Sequence, residues 1–132
     1  MRFAFASYQK HRLRVLPVLR RTDEKNKHNF ADEVDMALLD DRAFLFLCDG
    51  GFIVLQPIVK DGSSWVNIMF AYSWGTTALP CYMNDIFHLA GDIGAVGVEL
   101  YTVVKKLERF LIRKGFSKDS GNNRIQHWVK RF

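Results

Sequence analysis

The spacing of apolar positions changes several times along the chain, and each spacing predicts a different element. Residues 2–7 alternate loosely between apolar and polar side chains, which predicts a short strand. Residues 10–21 carry leucines at helical spacing and predict a helix, with Pro17 expected to kink or split it. From Asn29, an apolar stripe at i, i+4, i+7 and i+8 predicts a second helix with acidic residues in its first turns.

Short apolar runs separated by turn sequences occupy the centre of the chain. Residues 43–48 and 52–58 are rich in Phe, Leu, Ile and Val, and they flank Asp49-Gly50-Gly51. Glycines supply the positive φ that a tight hairpin requires. A second turn at residues 60–64 leads into a third apolar run at 65–73. Together these segments predict a three-stranded antiparallel meander.

The second half of the chain alternates between helical and strand patterns. Apolar residues return to helical spacing over 83–93, a short strand is predicted at 98–102, and a last helix ends at Gly115. Residues 125–132 suit a closing strand. The predicted class is therefore α+β, in the order β-α-α-β-β-β-α-β-α-β with about four helices. Because no repeat or linker-like segment interrupts it, residues 1–132 are expected to form a single domain.

Composition is that of a folded globular protein. The 132 residues are 48% hydrophobic and 25% charged, which allows a core and excludes wholesale disorder, a coiled coil or a collagen-like repeat. No apolar run approaches the roughly 18 residues that span a bilayer, and the first residues become polar too soon for a signal peptide. We therefore expect a cytoplasmic protein without membrane partners.

Cysteine and histidine positions give no indication of a metal site. Cys48 and Cys81 are the only cysteines, and they form no CxxC spacing. The four histidines include no pair at i, i+3 or i, i+4, the spacing that would place two ligands on one helix face. We assign no metal.

The net charge of +5 is unevenly distributed along the chain. Residues 1–30 carry a net +6, residues 31–100 a net −8 and residues 101–132 a net +7. If the termini meet in the fold, they would form one basic face suited to an anionic ligand or an acidic protein partner. Scattered solvated charge fits these numbers equally well. Tryptophans and a basic tail raise nucleic-acid binding as a further hypothesis, but no RNA- or DNA-binding motif is present.

The order of elements resembles the GNAT superfamily of acyl-CoA-dependent N-acetyltransferases over nearly the whole chain. The most specific segments are residues 98–102 and 107–116, which are similar to the family's fifth strand and to the following helix that ends in a Gly-Phe pair, here Gly115-Phe116. The short chain also resembles the small, divergent GNAT-like proteins encoded by bacteriophages.

This resemblance implies where a cofactor would bind. In the family, acetyl-CoA lies between the splayed fourth and fifth strands, and its pyrophosphate lies at the N-terminus of the next helix, where free N–H groups attract anions. The pantetheine-binding positions would then be Met69, Phe70, Ala71 and Tyr72. The pyrophosphate-binding positions would be Trp74, Gly75, Thr76, Thr77 and Ala78.

Two positions depart from the family pattern. The phosphate loop usually contains several small residues that let the backbone wrap around phosphates, whereas Pro80 and bulky residues follow Ala78 here. The cofactor loop is thus degenerate. The family's general-acid tyrosine, four residues before the glycine of the Gly-Phe pair, is replaced by Leu111. Trp74 and Tyr82 are the side chains expected to close the cleft if it is not used.

Glu99 and Tyr101 are the candidate catalytic residues, because an acyl transfer to an amine needs groups that take and give protons. Strict alternation favours a solvent-facing Glu99, and the alternative is a buried carboxylate with a raised pKa. Tyr101 is a substitute for the missing acid, with a packing role as the alternative. Asp85 is expected near the start of the third helix, where its charge would repel a pyrophosphate.

Two main hypotheses follow. One is an N-acetyltransferase that uses acetyl-CoA and an amine acceptor. The other is a catalytically inactive GNAT-fold interaction protein, such as a phage accessory protein that binds a host or virion protein. The closing strand at 125–132 could also pair at a sheet edge to form a homodimer.

Overall fold

One mixed sheet carries the strands of this protein, and α-helices pack on both of its faces. The computed structural model describes residues 3–27, 29–73, 78–120 and 125–132. In these ranges the strands follow the spatial order β1-β2-β3-β4-β5-β7-β6. They are β1 (Phe3–Ala6), β2 (Phe44–Cys48), β3 (Gly51–Lys60), β4 (Ser63–Ser73), β5 (Gly97–Thr102), β6 (Ser117–Ser120) and β7 (Gln126–Arg131). The helices are α1 (Tyr8–Asn26), α2 (Ala31–Leu39), α3 (Ala78–Asp92) and α4 (Glu108–Arg113), with a 3-10 turn at Lys105–Leu107 before α4.

The central meander forms as its turn sequences predict. Strands β2, β3 and β4 pair antiparallel. Gly50 has φ +75° in the first turn, while Asp61 and Gly62 have φ +52° and +78° in the second. In the second turn, positive φ at both central residues matches the twist of the flanking strands in a two-residue hairpin. These turns therefore set the register of the meander.

Helix α1 is longer than its apolar pattern indicates, and it is not split. It continues through Pro17, although a proline inside a helix removes one hydrogen bond. Val15, Val18 and Leu19 are buried on either side of the exposed Pro17. Their packing against the sheet holds both halves in one helix, so the expected break does not occur.

Polar contacts join α1 to α2. Asp23 accepts hydrogen bonds from the backbone N–H groups of Phe30 and Ala31, at 2.8 and 2.9 Å, and so caps the start of α2. Further along the pair, the Arg12 guanidinium donates two hydrogen bonds to the buried Asp35, at 2.9 and 3.0 Å. The Tyr8 hydroxyl donates a third, at 2.5 Å. These contacts fix α2 against α1 on one side of the sheet.

Two clusters of buried side chains lie on the two faces of the sheet. One joins the sheet to α3 and α4 and includes Met83, Ile86, Leu111 and Trp128. The other joins the sheet to α1 and α2 and includes Leu19, Val34, Leu45 and Phe52. Both faces of the central strands are therefore covered, which explains why β2 and β3 are apolar nearly throughout.

The ends of the chain lie at opposite sides of the sheet. Strand β1 forms one edge, whereas β7 pairs with both β5 and β6 near the other. The expected single basic face from meeting termini is therefore wrong. The expected pairing of the closing strand at a sheet edge is also wrong, because β7 is not an edge strand. The polar residues 117–120, which did not predict a strand, form β6, and β6 pairs with the outer side of β7. None of the described helices is long and apolar enough to cross a membrane.

Candidate functional site

Strands β4 and β5 separate part-way along their length. They pair in parallel only at Val66↔Val98, Asn67↔Glu99 and Ile68↔Leu100. Beyond these pairs, β4 continues with β3 as far as Ser73, while β5 continues with β7 as far as Thr102. The two backbones thus leave each other just after Ile68 and Leu100. A cleft opens in the middle of the sheet at this point.

A β-bulge lies where the cleft begins. Val54 of β3 is opposite Phe70 and Leu55 is opposite Ile68, so Met69 is skipped in the register. An extra residue in one strand bends that strand and increases its twist. The bulge therefore directs the second half of β4 away from β5.

Two cavities lie in the opening between β4 and β5. The larger has a volume of about 370 Å³ and is lined by Phe30, Glu33, Val34, Asn67, Ile68, Met69, Tyr101 and Ile125. The smaller, of about 120 Å³, extends along β4 and the end of β5 to Val104 and Leu107. Four residues line both cavities: Phe30, Ile68, Met69 and Tyr101. The two cavities are therefore adjacent, and these four side chains lie at their junction.

The predicted pantetheine positions fall partly on this cleft. Met69, Phe70 and Ala71 line the smaller cavity. Tyr72 does not line either one, and its ring lies 5.8 Å from Phe52, among the side chains that pack towards α1 and α2.

The predicted pyrophosphate loop is described only at its end. Ala78 is the first residue of α3. Trp74, Gly75, Thr76 and Thr77 lie outside the described residues. The expectations for these four residues, including Trp74 as a side chain that closes the cleft, stay predictions.

Tyr101 is the one titratable residue among the four at the junction of the cavities. Its side chain is 47% exposed, and its ring stacks on His127 with 4.2 Å between ring centroids. Desolvation raises the pKa of the Tyr101 hydroxyl above its ordinary value, and the negative charge of Glu99 adds to this effect. The phenol carries its proton at neutral pH, as an ordinary tyrosine also does, and its side chain lines both cavities.

Glu99 is buried, which contradicts the solvent-facing position favoured by alternation. Only 3% of the residue is exposed. Its Oε1 accepts a hydrogen bond from Lys60 Nζ at 2.5 Å and lies 3.0 Å from His127 Nε2. The partners come from β3 and β7, 39 and 28 residues away. The cost of burying the Glu99 carboxylate is thus offset by Lys60 and His127, which lie too far away in the sequence for a local pattern to indicate them.

His127 was missed as a site residue by the sequence analysis. It stands opposite Tyr101 in the β5–β7 register, and its Nδ1 lies 3.2 Å from Asp119 of β6. No pattern near His127 points to these neighbours, because strand pairing alone brings them together. Glu99 and His127 do not line either cavity, and among the described residues the stacking of His127 on Tyr101 connects them to the cleft.

Other expected positions have structural roles. Leu111, at the family's general-acid position, is fully buried in the core beside α3. Tyr82 does not close the cleft, because its ring packs near Phe3 and its hydroxyl accepts a hydrogen bond from the Asp49 N–H at 3.0 Å. Asp85 is the eighth residue of α3 and not in its first turn, because the helix starts earlier than its apolar stripe.

Comparison with solved structures identifies the fold. A structure described as a "probable acetyltransferase" aligns with 93% of this chain and 95% of its own, at TM-score 0.69 and 16% identity. An acetyltransferase of the GNAT family from Listeria monocytogenes aligns with 98% and 94%, at TM-score 0.64 and 12% identity. The chain adopts the GNAT fold. A protein from Desulfovibrio desulfuricans described as an acetyltransferase of the GNAT family also aligns over 98% of this chain and 96% of its own, at TM-score 0.64 and 14% identity.

The GNAT fold confirms the predicted α+β class and order of elements. Searches against protein-family models and curated proteins find no match. Since these three solved structures share 12 to 16% identity with this chain, they establish its fold, and its chemistry has to be argued from its own residues. Among those that the structure describes, no group of three or more His, Cys, Asp or Glu side chains is arranged to hold a metal ion.

Proposed function

We propose that this GNAT-fold protein is an N-acyltransferase that uses acetyl-CoA and an amine acceptor. The observation that carries the proposal is the separation of β4 and β5 after Ile68 and Leu100, with two adjacent cavities in the opening. The GNAT fold of the solved relatives supports the same cofactor class, since their names describe acetyltransferases.

The cleft fits a ligand that contains amide groups. Beyond Ile68 and Leu100 the facing backbones of β4 and β5 do not pair with each other, so their polar groups can pair with a ligand placed between them. The small side chain of Ala71 leaves room on the β4 side, and Val103 and Val104 form an apolar wall on the other. Met69, Phe70 and Ala71 are the described residues that would hold the pantetheine arm.

Bound acetyl-CoA would supply an activated acyl group for transfer to the amine. Among the described residues, Tyr101 is the titratable one that lines both cavities, and its hydroxyl carries a proton at neutral pH. As the neutral amine forms its N–C bond and the C–S bond breaks, the hydroxyl would donate that proton to the leaving thiolate, and the proton lost by the amine nitrogen would return to the Tyr101 phenolate through water. Leu111 has no proton to give, so Tyr101 takes the role that the family assigns to another position.

Glu99 acts on the site indirectly in this proposal. It binds His127 at 3.0 Å, and His127 stacks flat against the Tyr101 ring with 6° between the ring planes. Glu99 and His127 thus orient Tyr101 and are positioning residues. The amide groups of a bound pantetheine arm would pair with the free backbone groups of β4 and β5. Together with the apolar walls of the cleft, the bound arm would exclude water from the reacting groups.

Calorimetric titration with acetyl-CoA and with CoA, each at two salt concentrations, tests the proposal. We expect micromolar binding, which corresponds to roughly 8 kcal/mol. The variant Val104→Trp places a large side chain in the smaller cavity and should weaken CoA binding at least about tenfold, since a filled cleft must open before the ligand enters. Val59→Trp is the matched control, because Val59 is 72% exposed on β3 and does not line the cleft.

Loss of binding in a Gly75→Trp variant would support the assigned pyrophosphate loop, and unchanged CoA affinity would contradict that assignment. If the wild-type protein shows no CoA binding, the transferase proposal is wrong and the interaction-protein hypothesis, with an acidic protein partner, takes its place. The cytoplasmic location, the bacteriophage resemblance and a homodimer stay predictions.

A further inference from the structure

We propose that the outer face of the α1–α2 helix pair binds a second copy of this chain, so that the protein forms a two-fold symmetric dimer in solution. In this dimer, α1 of each subunit lies against α2 of the other. Three features of the described residues support the pairing: opposite charge on the two helices, exposed apolar side chains among the charges, and equal spacing of the charges. The dimer is independent of the proposed transferase function.

The exposed side of α1 is basic. Lys10, Arg14, Arg21 and Lys25 are exposed, and their spacing of i, i+4, i+11 and i+15 places them on one side of the helix. Glu24 is the one acidic residue exposed on α1. Among the described residues, neither Arg14 nor Arg21 forms an ion pair within the chain. Their charges are therefore available to a partner.

The exposed side of α2 has the opposite charge. Asp32 and Glu33 in its first turn are exposed, as is Asp40 directly after the helix, and α2 contains no lysine or arginine. Asp32 Oδ1 lies 3.5 Å from Arg20 Nη2, and Asp40 Oδ2 lies 3.3 Å from Arg42 Nη2. Ion pairs between exposed side chains contribute little, so these carboxylates can exchange partners. Because the face carries both signs of charge, it is complementary to itself and less suited to a polyanion or an acidic protein.

Large apolar side chains are exposed among these charges. Leu13 of α1 is 92% exposed, and Met36 of α2 is 58% exposed, with the exposed Leu39 one turn further along. Leu13 directly precedes Arg14, and Met36 lies between the acidic ends of α2. Exposed apolar surface that is rimmed by polar residues is typical of an interaction site. In the dimer, Leu13 would pack against Met36 of the partner subunit.

A two-fold axis parallel to the helix pair brings these features together. The helices run antiparallel, because Asp23 near the end of α1 caps the start of α2, while Tyr8 at the start of α1 binds Asp35 in the middle of α2. Rotation by half a turn about this axis keeps the direction of each helix and exchanges their sides. Thus α1 of one subunit faces α2 of the other, again antiparallel. Such an interface uses the same surface on both subunits and closes at two copies.

The charges on the two helices then pair in register. Arg14 and Arg21 are seven residues apart on α1, and Glu33 and Asp40 are seven residues apart at the two ends of α2. Seven residues span about 10.5 Å of a helix. In an antiparallel contact, Arg14 therefore lies opposite Asp40 of the partner subunit when Arg21 lies opposite Glu33 of the partner subunit. The two-fold axis repeats both pairs.

The size of this face sets the expected affinity. The 19 residues of α1 span about 28 Å, and the 9 residues of α2 span about 13 Å. Two helices of these lengths are at the lower end of what specific interfaces bury, which is roughly 800 Å² per partner. We therefore expect a micromolar dissociation constant, and one that rises with ionic strength because exposed charges are screened.

Sedimentation equilibrium of the wild-type protein, from about 1 µM to about 200 µM, brackets a micromolar dissociation constant. We expect a monomer–dimer equilibrium in this range. A protein that stays monomeric throughout would overturn the inference. If that monomer binds heparin, and the binding is lost in the variant Arg14→Glu with Arg21→Glu, α1 takes a polyanion and the second copy is the wrong occupant.

Two double variants each reverse the charge of one helix. Arg14→Glu with Arg21→Glu makes both helices acidic, and Glu33→Lys with Asp40→Lys makes both basic. Each variant alone should dimerise at least about tenfold more weakly, since like charges then face each other. An equimolar mixture of the two should dimerise again, because every contact in the mixed dimer joins an acidic helix to a basic one. This restoration also shows that both variants fold.

Matched controls make the same charge changes on the other face of the sheet. They are Arg109→Glu with Arg113→Glu on α4 and Asp85→Lys with Asp92→Lys on α3, all at exposed residues. Both controls should dimerise as the wild type does. If the α1 and α2 variants dimerise as strongly as these controls, or if their mixture stays monomeric, the assigned interface is wrong.

Replacing the apolar centre tests the same interface without changing charge. Leu13→Ser should weaken dimerisation at least about tenfold, because each subunit loses one apolar side chain that the contact buries. The thermal unfolding of the monomer should not change, since Leu13 is almost fully exposed. Val59→Ser is the matched control, at an exposed residue of β3 away from both helices. Equal dimerisation of the two variants would contradict the proposed contact.

Discussion

Replacing Glu99 with leucine should destabilise the protein substantially, because only one member of a buried polar cluster is removed. Glu99 is 3% exposed and binds both Lys60 Nζ and His127 Nε2. In the Glu99→Leu variant the carboxylate disappears and both nitrogen groups lose their acceptor. Removing one partner from such a cluster is more costly than replacing the whole cluster with apolar side chains.

The two contacts of Glu99 contribute unequally. The His127 side chain is 12% exposed, so loss of its hydrogen bond to a charged group should cost about 2 kcal/mol. The Lys60 side chain is 35% exposed and can turn to solvent, so its contact should contribute less than about 1 kcal/mol. Together they predict a loss of about 3 kcal/mol in the free energy of unfolding, or roughly 10 °C in Tm for a domain of this size.

Urea unfolding at pH 7 followed by tryptophan fluorescence, together with thermal unfolding, measures this loss. Glu99→Gln is the matched control, because it keeps the shape and an acceptor oxygen and should lose about half as much. A Glu99→Leu variant within about 0.5 kcal/mol of the wild type would refute the reasoning. That result would mean that the cost of burying the carboxylate already equals what its two contacts contribute.

Two further predictions concern the fold around the site. Gly97→Ala should be strongly destabilising, by more than about 2 kcal/mol in urea unfolding, since a Cβ there would lie 2.4 Å from the backbone oxygen of Lys130 and 2.5 Å from the Trp65 ring. An unchanged urea midpoint would contradict this close approach. At Asp35, two hydrogen bonds from Arg12 hold the pKa of the carboxyl below its ordinary value, so Asp35 contributes stability above its unfolded pKa of about 4 and loses it as pH falls through the folded pKa. The stability difference between wild-type and Asp35→Asn protein should therefore shrink as the pH is lowered below 4 in a series of urea titrations, and a difference independent of pH would contradict the assignment.

Local patterns in the sequence determined much of the fold. The turn sequences around Gly50 and Gly62 predicted the meander, because few residues other than glycine adopt positive φ without strain. Gly115, at φ +92°, ended the last helix for the same reason. Apolar stripes located α2 and α3 because a helix must turn one face to the core. These features depend on residues close together in the chain, so a single sequence contains the information.

The described part of the candidate site depended on contacts that only the tertiary structure brings together. Strand pairing places His127 opposite Tyr101, and the buried Glu99 is satisfied by Lys60 from another hairpin. The alternation rule failed at Glu99 because it assumes a solvated face, whereas side chains from β3 and β7 cover this one. The bulge at Met69 likewise arises from the register between β3 and β4. Sequence determined the elements through local geometry, and the tertiary structure decided the cleft because its walls come from distant segments.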